Sequence, residues 1–338
     1  MTLNYFVRRV FFLFLVIWTA ATINYILPRL SDRNPVIEQI TIQVGTSGRT
    51  GEDAKLMIAN LTKVFGLDKP LWQQYLTYIG NVFKLDFGYS IINYPRTVME
   101  IIIARGRLTL PFVAVGIALS FSIGILLGAF LGWNRTPNWV SNIIVPPLLV
   151  LSSVPQFLIA LVLLYVVAFR MKLLPMSGAF PRTMVEDWGN PAFILAYARH
   201  AILPILSIVL VEASGWALGM RAMMVTVEGE DYATFAEAKG LKTGRIFFRY
   251  LLRNALLPSL TGLALRLGFI ITGAAVAETF FSYNGLGQAL GSAIGSFDFF
   301  MLYGIVIIMV ILIALATFTM DMIYPLLDPR ITYKKQRG

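Results

Sequence analysis

The feature that most limits what this chain can become is its series of long apolar runs. Phe300 to Tyr324 carries one charged residue, Asp321. A run of that length, wound as a helix, covers the ~30 Å hydrocarbon core of a bilayer. Comparable runs lie at Val10–Leu27, after Arg107 to Trp133, at about Ile143–Phe169, at Ala201 to roughly Met224, and at Ser259–Phe281. Composition agrees: 57% of the residues are apolar and 14% are charged, against about 25% charged in soluble domains. The expectation is an all-α integral membrane protein with six transmembrane helices.

Arg8 and Arg9 precede the first run, and Arg330, Lys334, Lys335 and Arg337 follow the last. Positive charge beside spans collects on the cytoplasmic side, so both ends are placed there. The first run is too long for a signal-peptide core and is read as a retained span. The net charge of +10 is assigned to these flanks, with membrane lipid as the neighbour and no nucleic acid as partner. Cysteine is absent and His200 is the only histidine. Thiolate chemistry, disulfides and nearly every zinc set are thereby excluded, and no metal or resident cofactor is expected.

Four segments follow. Residues 1–28 hold the N-terminus and first span; 29–106 form a polar extracytoplasmic cap; 107–325 form a five-helix core; 326–338 are a cytoplasmic tail. Within the cap, Thr50-Gly51-Glu52-Asp53 opens a helical pattern of Leu56, Ile58, Leu61, Val64 and Phe65 that Gly66 closes. Asp68-Lys69-Pro70 opens another, in which Leu71, Trp72, Tyr75, Leu76, Ile79 and Phe83 are expected to form a buried stripe. In the second span Gly124, Gly128 and Gly132 recur every four residues, a spacing for close helix packing. Pro146, Pro147 and Pro155 are expected to break the third span, as a kink or beside a pore. Gly285, Gly287, Gly291 and Gly295 follow no strand and are read as an external re-entrant turn rather than a nucleotide loop.

The polar interruption 228–258 between spans four and five is the most patterned part of the chain. Glu230 and Asp231 suit a first helical turn, and Gly240 after Lys239 suits a left-handed stop. A second helix is expected from Thr243 to Pro258. Arg245, Arg249 and Arg253 would share one face, with Phe247, Phe248, Leu251, Leu252, Ala255 and Leu256 on the other. No Gly-x4-Gly-Lys-Ser/Thr sequence occurs, so the chain is not expected to hydrolyse ATP. Glu212, Arg266, Glu278 and Asp321 lie in or near spans, where an unpaired charge costs about 2.5–3.5 kcal/mol. They are read as paired or facing water; in an ion-coupled secondary transporter or channel, the alternative reading, they would form a relay.

Several stretches, in order, resemble the permease subunits of binding-protein-dependent ABC importers, in the dipeptide, oligopeptide and nickel branch. They are Phe65-Gly-Leu-Asp-Lys-Pro-Leu-Trp-Gln-Gln-Tyr75, Asp86-Phe-Gly-Tyr-Ser90, Ser153-Val-Pro-Gln-Phe157, Leu174-Pro-Met-Ser-Gly178, Asp231 to Leu241, Arg253-Asn-Ala-Leu-Leu-Pro258, Glu278-Thr-Phe-Phe-Ser282, Gly285-Leu-Gly287 and Leu327-Asp-Pro-Arg330. The resemblance implies that Asp231, Tyr232, Ala236, Ala238, Lys239, Gly240 and Leu241 form a cytoplasmic coupling helix and its turn. Implied partners are a second homologous permease, two ATPase subunits that hold ATP and Mg, and an extracytoplasmic solute-binding protein. The implied solute is small, a peptide or oligosaccharide. Two departures stand out: Thr234-Phe235-Ala236 replaces an acidic residue and two alanines, and Ser31-Asp32-Arg33-Asn34-Pro35 replaces a Gly-Asp-Pro.

Overall fold

The computed structural model describes residues 3–30, 41–42, 44–45, 52–64 and 66–327. The expectations placed on Ser31–Pro35, on Thr50, Gly51 and Phe65, and on residues 328–338 lie outside the described residues. Among those described there is no strand, only an isolated bridge between Tyr89 and Thr97. The helices are α1 (Leu3–Ile26), α2 (Glu52–Val64), α3 (Leu71–Lys84), α4 (Val98–Gly132), α5 (Asn138–Ser153), α6 (Gln156–Leu163), α7 (Pro191–Glu228), α8 (Asp231–Ala238), α9 (Thr243–Arg245), α10 (Leu252–Phe281), α11 (Leu286–Gly295) and α12 (Phe299–Leu327). Stretches of π-helix, Leu164–Arg170 and Ile246–Leu251, extend α6 and join α9 to α10.

Helices α1, α4, α7 and α12 are long and apolar enough to cross a membrane, and α5 with α6 forms a fifth candidate bent by 106°. Helix α10 has 30 residues, about 45 Å of length. An all-α membrane protein is what the described residues form.

Several boundaries differ from the sequence expectation, each for a local reason. Helix α4 begins at Val98, ahead of Arg105 and Arg107. Thr97 Oγ1 accepts the Glu100 N–H at 3.3 Å while Glu100 Oε2 accepts the Thr97 N–H at 3.4 Å. This reciprocal box satisfies two donors that a helix start otherwise leaves open. Helix α7 begins at Pro191 rather than Ala201, because Asn190 Oδ1 accepts the Ala192 N–H at 2.9 Å and Pro191 needs no N–H partner. Pro146 and Pro147 sit inside α5 and do not break it. The break falls at Val154, extended at φ −85° and ψ 131°. A residue ahead of proline is disfavoured in helical conformation, and Pro155 follows it. Pro258 does not end a helix either; the helical run from Thr243 continues through it to Phe281.

The chain divides into two compact units: Thr109–Asn284 with the described residues from Thr319 onward, and the described residues to Leu108 with Gly285–Phe318.

In the unit holding α1 to α3, Tyr75 and Tyr78 face α1, where Thr22 Oγ1 lies 2.8 Å from the Tyr75 hydroxyl and Asn24 Nδ2 donates to the Tyr78 hydroxyl at 3.3 Å. Burial pushes Tyr78 up to about 12. These bonds turn α3 so that Val82 is buried, whereas Leu71, Trp72, Leu76 and Phe83 are exposed. The expected buried stripe is therefore corrected: hydrogen-bonding tyrosines, not the most apolar side chains, set the inward face. In the same unit Asp298 is 1% exposed. It accepts from the Ser90 hydroxyl at 2.5 Å and from the N–H groups of Ile92 and Met301, both at 3.2 Å.

Candidate functional site

Three features of the unit Thr109–Asn284 bear on function: a packed helix pair, a short helix at its end, and a charged cavity.

Helices α4 and α7 meet over glycines. A Cβ at Gly124 would stand 2.5 Å from Trp216 Cβ, and one at Gly132 would stand 2.5 Å from the Arg221 carbonyl oxygen. At Gly128 the added carbon would collide with the Ala217 carbonyl. Backbone meets backbone here, which no larger residue permits.

Helix α7 ends at Glu228, and α8 starts three residues later. Ala233 and Ala236 are buried on the inner face of α8, while Asp231, Thr234, Phe235, Glu237 and Ala238 are exposed. Tyr232 and Leu241 are half-buried and pack against the cluster of Met220, Met224, Ile246 and Phe247. Lys239 Nζ lies over the Phe235 ring at 4.5 Å. Gly240 has φ +70°, and a Cβ there would touch nothing within 4 Å. That turn needs the left-handed region, which glycine enters without steric cost.

Beyond the turn, Arg245, Arg249 and Arg253 are exposed and Phe247, Leu251 and Ala255 are buried. Phe248, expected with the apolar face, is 61% exposed instead; the π-helical stretch changes the angular step between neighbouring side chains.

The α8 segment is tied to the loop after α4. Arg135 Nη2 lies 3.5 Å from Glu237 Oε1, and Arg135 Nη1 donates to Thr243 Oγ1 at 3.0 Å. The Asn134 N–H donates to the Glu228 carboxylate at 3.0 Å. One short loop thus holds the end of α7, the α8 helix and the start of α9. Sequence reasoning missed Arg135 in this role, because nothing in its neighbourhood marks it apart from other loop arginines.

Two of the four charges noted in or near spans pair with each other. Arg266 Nη1 lies 3.5 Å from Glu212 Oε2. The guanidinium lies over the Trp216 ring at 4.7 Å, in space that a Cβ at Gly215 would occupy. Glu278 is fully buried and accepts the Thr109 hydroxyl proton at 2.5 Å. Asp321 is half-buried on α12.

His200 bonds through Nδ1 to the Gly178 carbonyl oxygen at 2.9 Å, which makes it a loop anchor. Among the described residues no cluster of His, Cys, Asp and Glu could hold a metal ion.

A 380 Å³ cavity opens where α5 breaks from α6, lined by Ser152, Ser153 and Gln156 at the break, Glu212 of α7, and Thr272 and Gly273 of α10. A Cβ on Gly273 would collide with Gln156 Oε1. The Gln156 Nε2 atom is buried without a hydrogen-bond partner. Arg266 is 43% exposed near the midpoint of α10.

Long apolar helices, a bent helix pair and a short exposed helix between two long ones make up a multi-pass membrane protein. The profile of the family described as "Binding-protein-dependent transport system inner membrane component" matches residues 124–333. The chain belongs to that family and is an inner-membrane permease component. It is 30% identical to the dipeptide transport system permease protein DppB of Escherichia coli (strain K12), over 88% of this chain and 91% of that one. It is 31% identical to the oligopeptide transport system permease protein AppB of Bacillus subtilis (strain 168), over 80% of this chain and 83% of that one. The di/tripeptide transport system permease protein DppB of Pseudomonas aeruginosa (strain UCBPP-PA14) is 31% identical over the same shares.

Proposed function

We propose that this permease imports short peptides, with six spans, both termini in the cytoplasm and residues 29–106 on the outer face. A second homologous permease completes the path, two ATPase subunits supply the energy, and a solute-binding protein delivers the peptide. ATP and Mg belong to the ATPases, and this chain hydrolyses nothing. The names of the relatives support peptides rather than oligosaccharides.

The observation that carries the reading is the α8 segment. A short helix presents Phe235, Glu237 and Ala238 outward, while Ala233 and Ala236 anchor it. It connects the 38-residue α7 to the helical run that becomes α10. A partner that seizes α8 acts on two long helices together. Asp231, Tyr232, Ala236, Ala238, Lys239, Gly240 and Leu241 are the coupling helix and its turn in this reading. ATPase closure moves α8, the fixed turn at Gly240 passes that movement on, and the spans change which side they open to. The ion-coupled alternative loses ground because Glu212 pairs with Arg266 and Glu278 holds Thr109.

The test is uptake into proteoliposomes that contain the copurified permease pair and ATPases, with loaded binding protein outside. Labelled di- and tripeptides should enter only with ATP on the ATPase side. Uptake that persists without ATP and collapses with the proton gradient would favour the alternative.

A further inference from the structure

We infer that the cavity at the α5–α6 break is a peptide-binding subsite on the translocation path, in which Gln156 contacts a carbonyl of the solute and Glu212 receives its free ammonium group. The inference rests on the peptide reading above and adds the residues that meet the peptide.

Each part of the cavity suits that ligand. Pro155 lacks an N–H, so the carbonyl four residues earlier has no helical donor from it. Broken helices at membrane depth place such backbone groups beside cavities rather than lipid. The hydroxyls of Ser152 and Ser153 fold back on the Leu149 carbonyl at 3.0 and 2.8 Å and keep acceptor capacity for a ligand. Gln156 Nε2 is a donor in a side chain 9% exposed, with no acceptor supplied by the protein. A buried amide left open is costly in a fold and useful to a visiting carbonyl oxygen. Gly273 packs against the other end of that amide, leaving no room for a Cβ and fixing the direction of the group.

Glu212 supplies the rest. At 3.5 Å Glu212 and Arg266 attract one another without a close hydrogen bond, and Glu212 Oε2 has no hydrogen-bond partner. An ammonium group that enters the cavity can bond the Glu212 carboxylate, adding a closer partner to the loose one it has. The cavity therefore favours small molecules that carry a free amino terminus and a carbonyl within reach of Gln156. At 380 Å³ it holds part of a short peptide, not a folded chain.

Gln156→Leu gives the cleanest test, in the assembled transporter with its partner permease, ATPases and binding protein. Replacing an amide that bonds nothing in the protein should not weaken the fold, so a purely structural residue would leave transport intact. Loss of its ligand hydrogen bond should reduce tripeptide uptake about tenfold while the complex still copurifies. Because the chain has no cysteine, Gln156→Cys adds a single thiol, read by mass spectrometry of this chain after reaction with a small cationic methanethiosulfonate. Labelling should proceed, and should slow when loaded binding protein and ATP drive transport. Wild-type uptake by Gln156→Leu, or Cys labelling unchanged by transport, overturns the site while leaving the peptide reading in place. A wild-type complex that takes up no peptide overturns both.

Discussion

Arg135 reaches from the loop after α4 to Glu237 on α8, 3.5 Å away, and holds Thr243 across the turn with its other terminal nitrogen. The pair is half-exposed on both sides, so its contribution to stability is below about 1 kcal/mol. Its value is positional, since it fixes α8 against the end of α4. Arg135→Ala should leave expression and assembly unchanged while peptide uptake per ATP hydrolysed falls about threefold to tenfold, the scale of one coupling contact. The charge-exchanged double variant, Arg135→Glu with Glu237→Arg, should recover part of the loss. Unchanged uptake per ATP in Arg135→Ala would remove this residue from the coupling account.

Gly240→Val tests the turn through the backbone alone. With φ at +70° and open space around it, valine meets no clash but must enter a region that costs a β-branched residue about 1–3 kcal/mol. Gly240→Asn, which tolerates that region, should transport better than the valine variant. Uptake in proteoliposomes ranks the three proteins, and equal activity in all of them would contradict the coupling-turn assignment.

Gly128→Val should destabilise the α4–α7 pair by about 1–3 kcal/mol, as overpacking does, because its Cβ is directed into the Ala217 carbonyl. Trp216 packs edge-on to Phe121 in this pair, so tryptophan fluorescence during heating in detergent reports the loss. A Tm equal to that of the wild type would contradict the contact.

Asp298→Ala removes the acceptor for three donors: the Ser90 hydroxyl and the N–H groups of Ile92 and Met301. Buried donors left open cost about 1–3 kcal/mol each in such a change. Amide hydrogen exchange around Ile92 and Met301 should accelerate relative to α7, and unchanged exchange would argue against the bonds.

The sequence made some of this architecture visible through strong local rules. The apolar runs mark the helices long enough to cross a membrane, such as α1, α4, α7 and α12, and the Lys239-Gly240 step marks the end of α8. Other parts were hidden for identifiable reasons. The start of α4 is written as Thr97-Val-Met-Glu100, a capping box four residues long that the apolar run after Arg107 overshadows. The third span has three prolines in its reach, yet only Pro155 turns the chain, and residue type alone does not rank them. The inward side of α3 is set by Thr22 and Asn24, residues about fifty positions away. The candidate site divides the same way. The α8 segment is legible because a helix and its stop are local. The cavity is not, since Gln156, Glu212 and Gly273 come from three helices that only folding brings together.

The most direct measurement of the central claim is a photo-crosslinking amino acid at Phe235, the 61% exposed ring on the outer face of α8, activated in native membranes and followed by mass spectrometry. The account predicts an adduct with a P-loop ATPase, weakened in the Gly240→Val background. An adduct with lipid alone, from a complex that still contains its ATPases, would show that α8 lies on the membrane and does not dock.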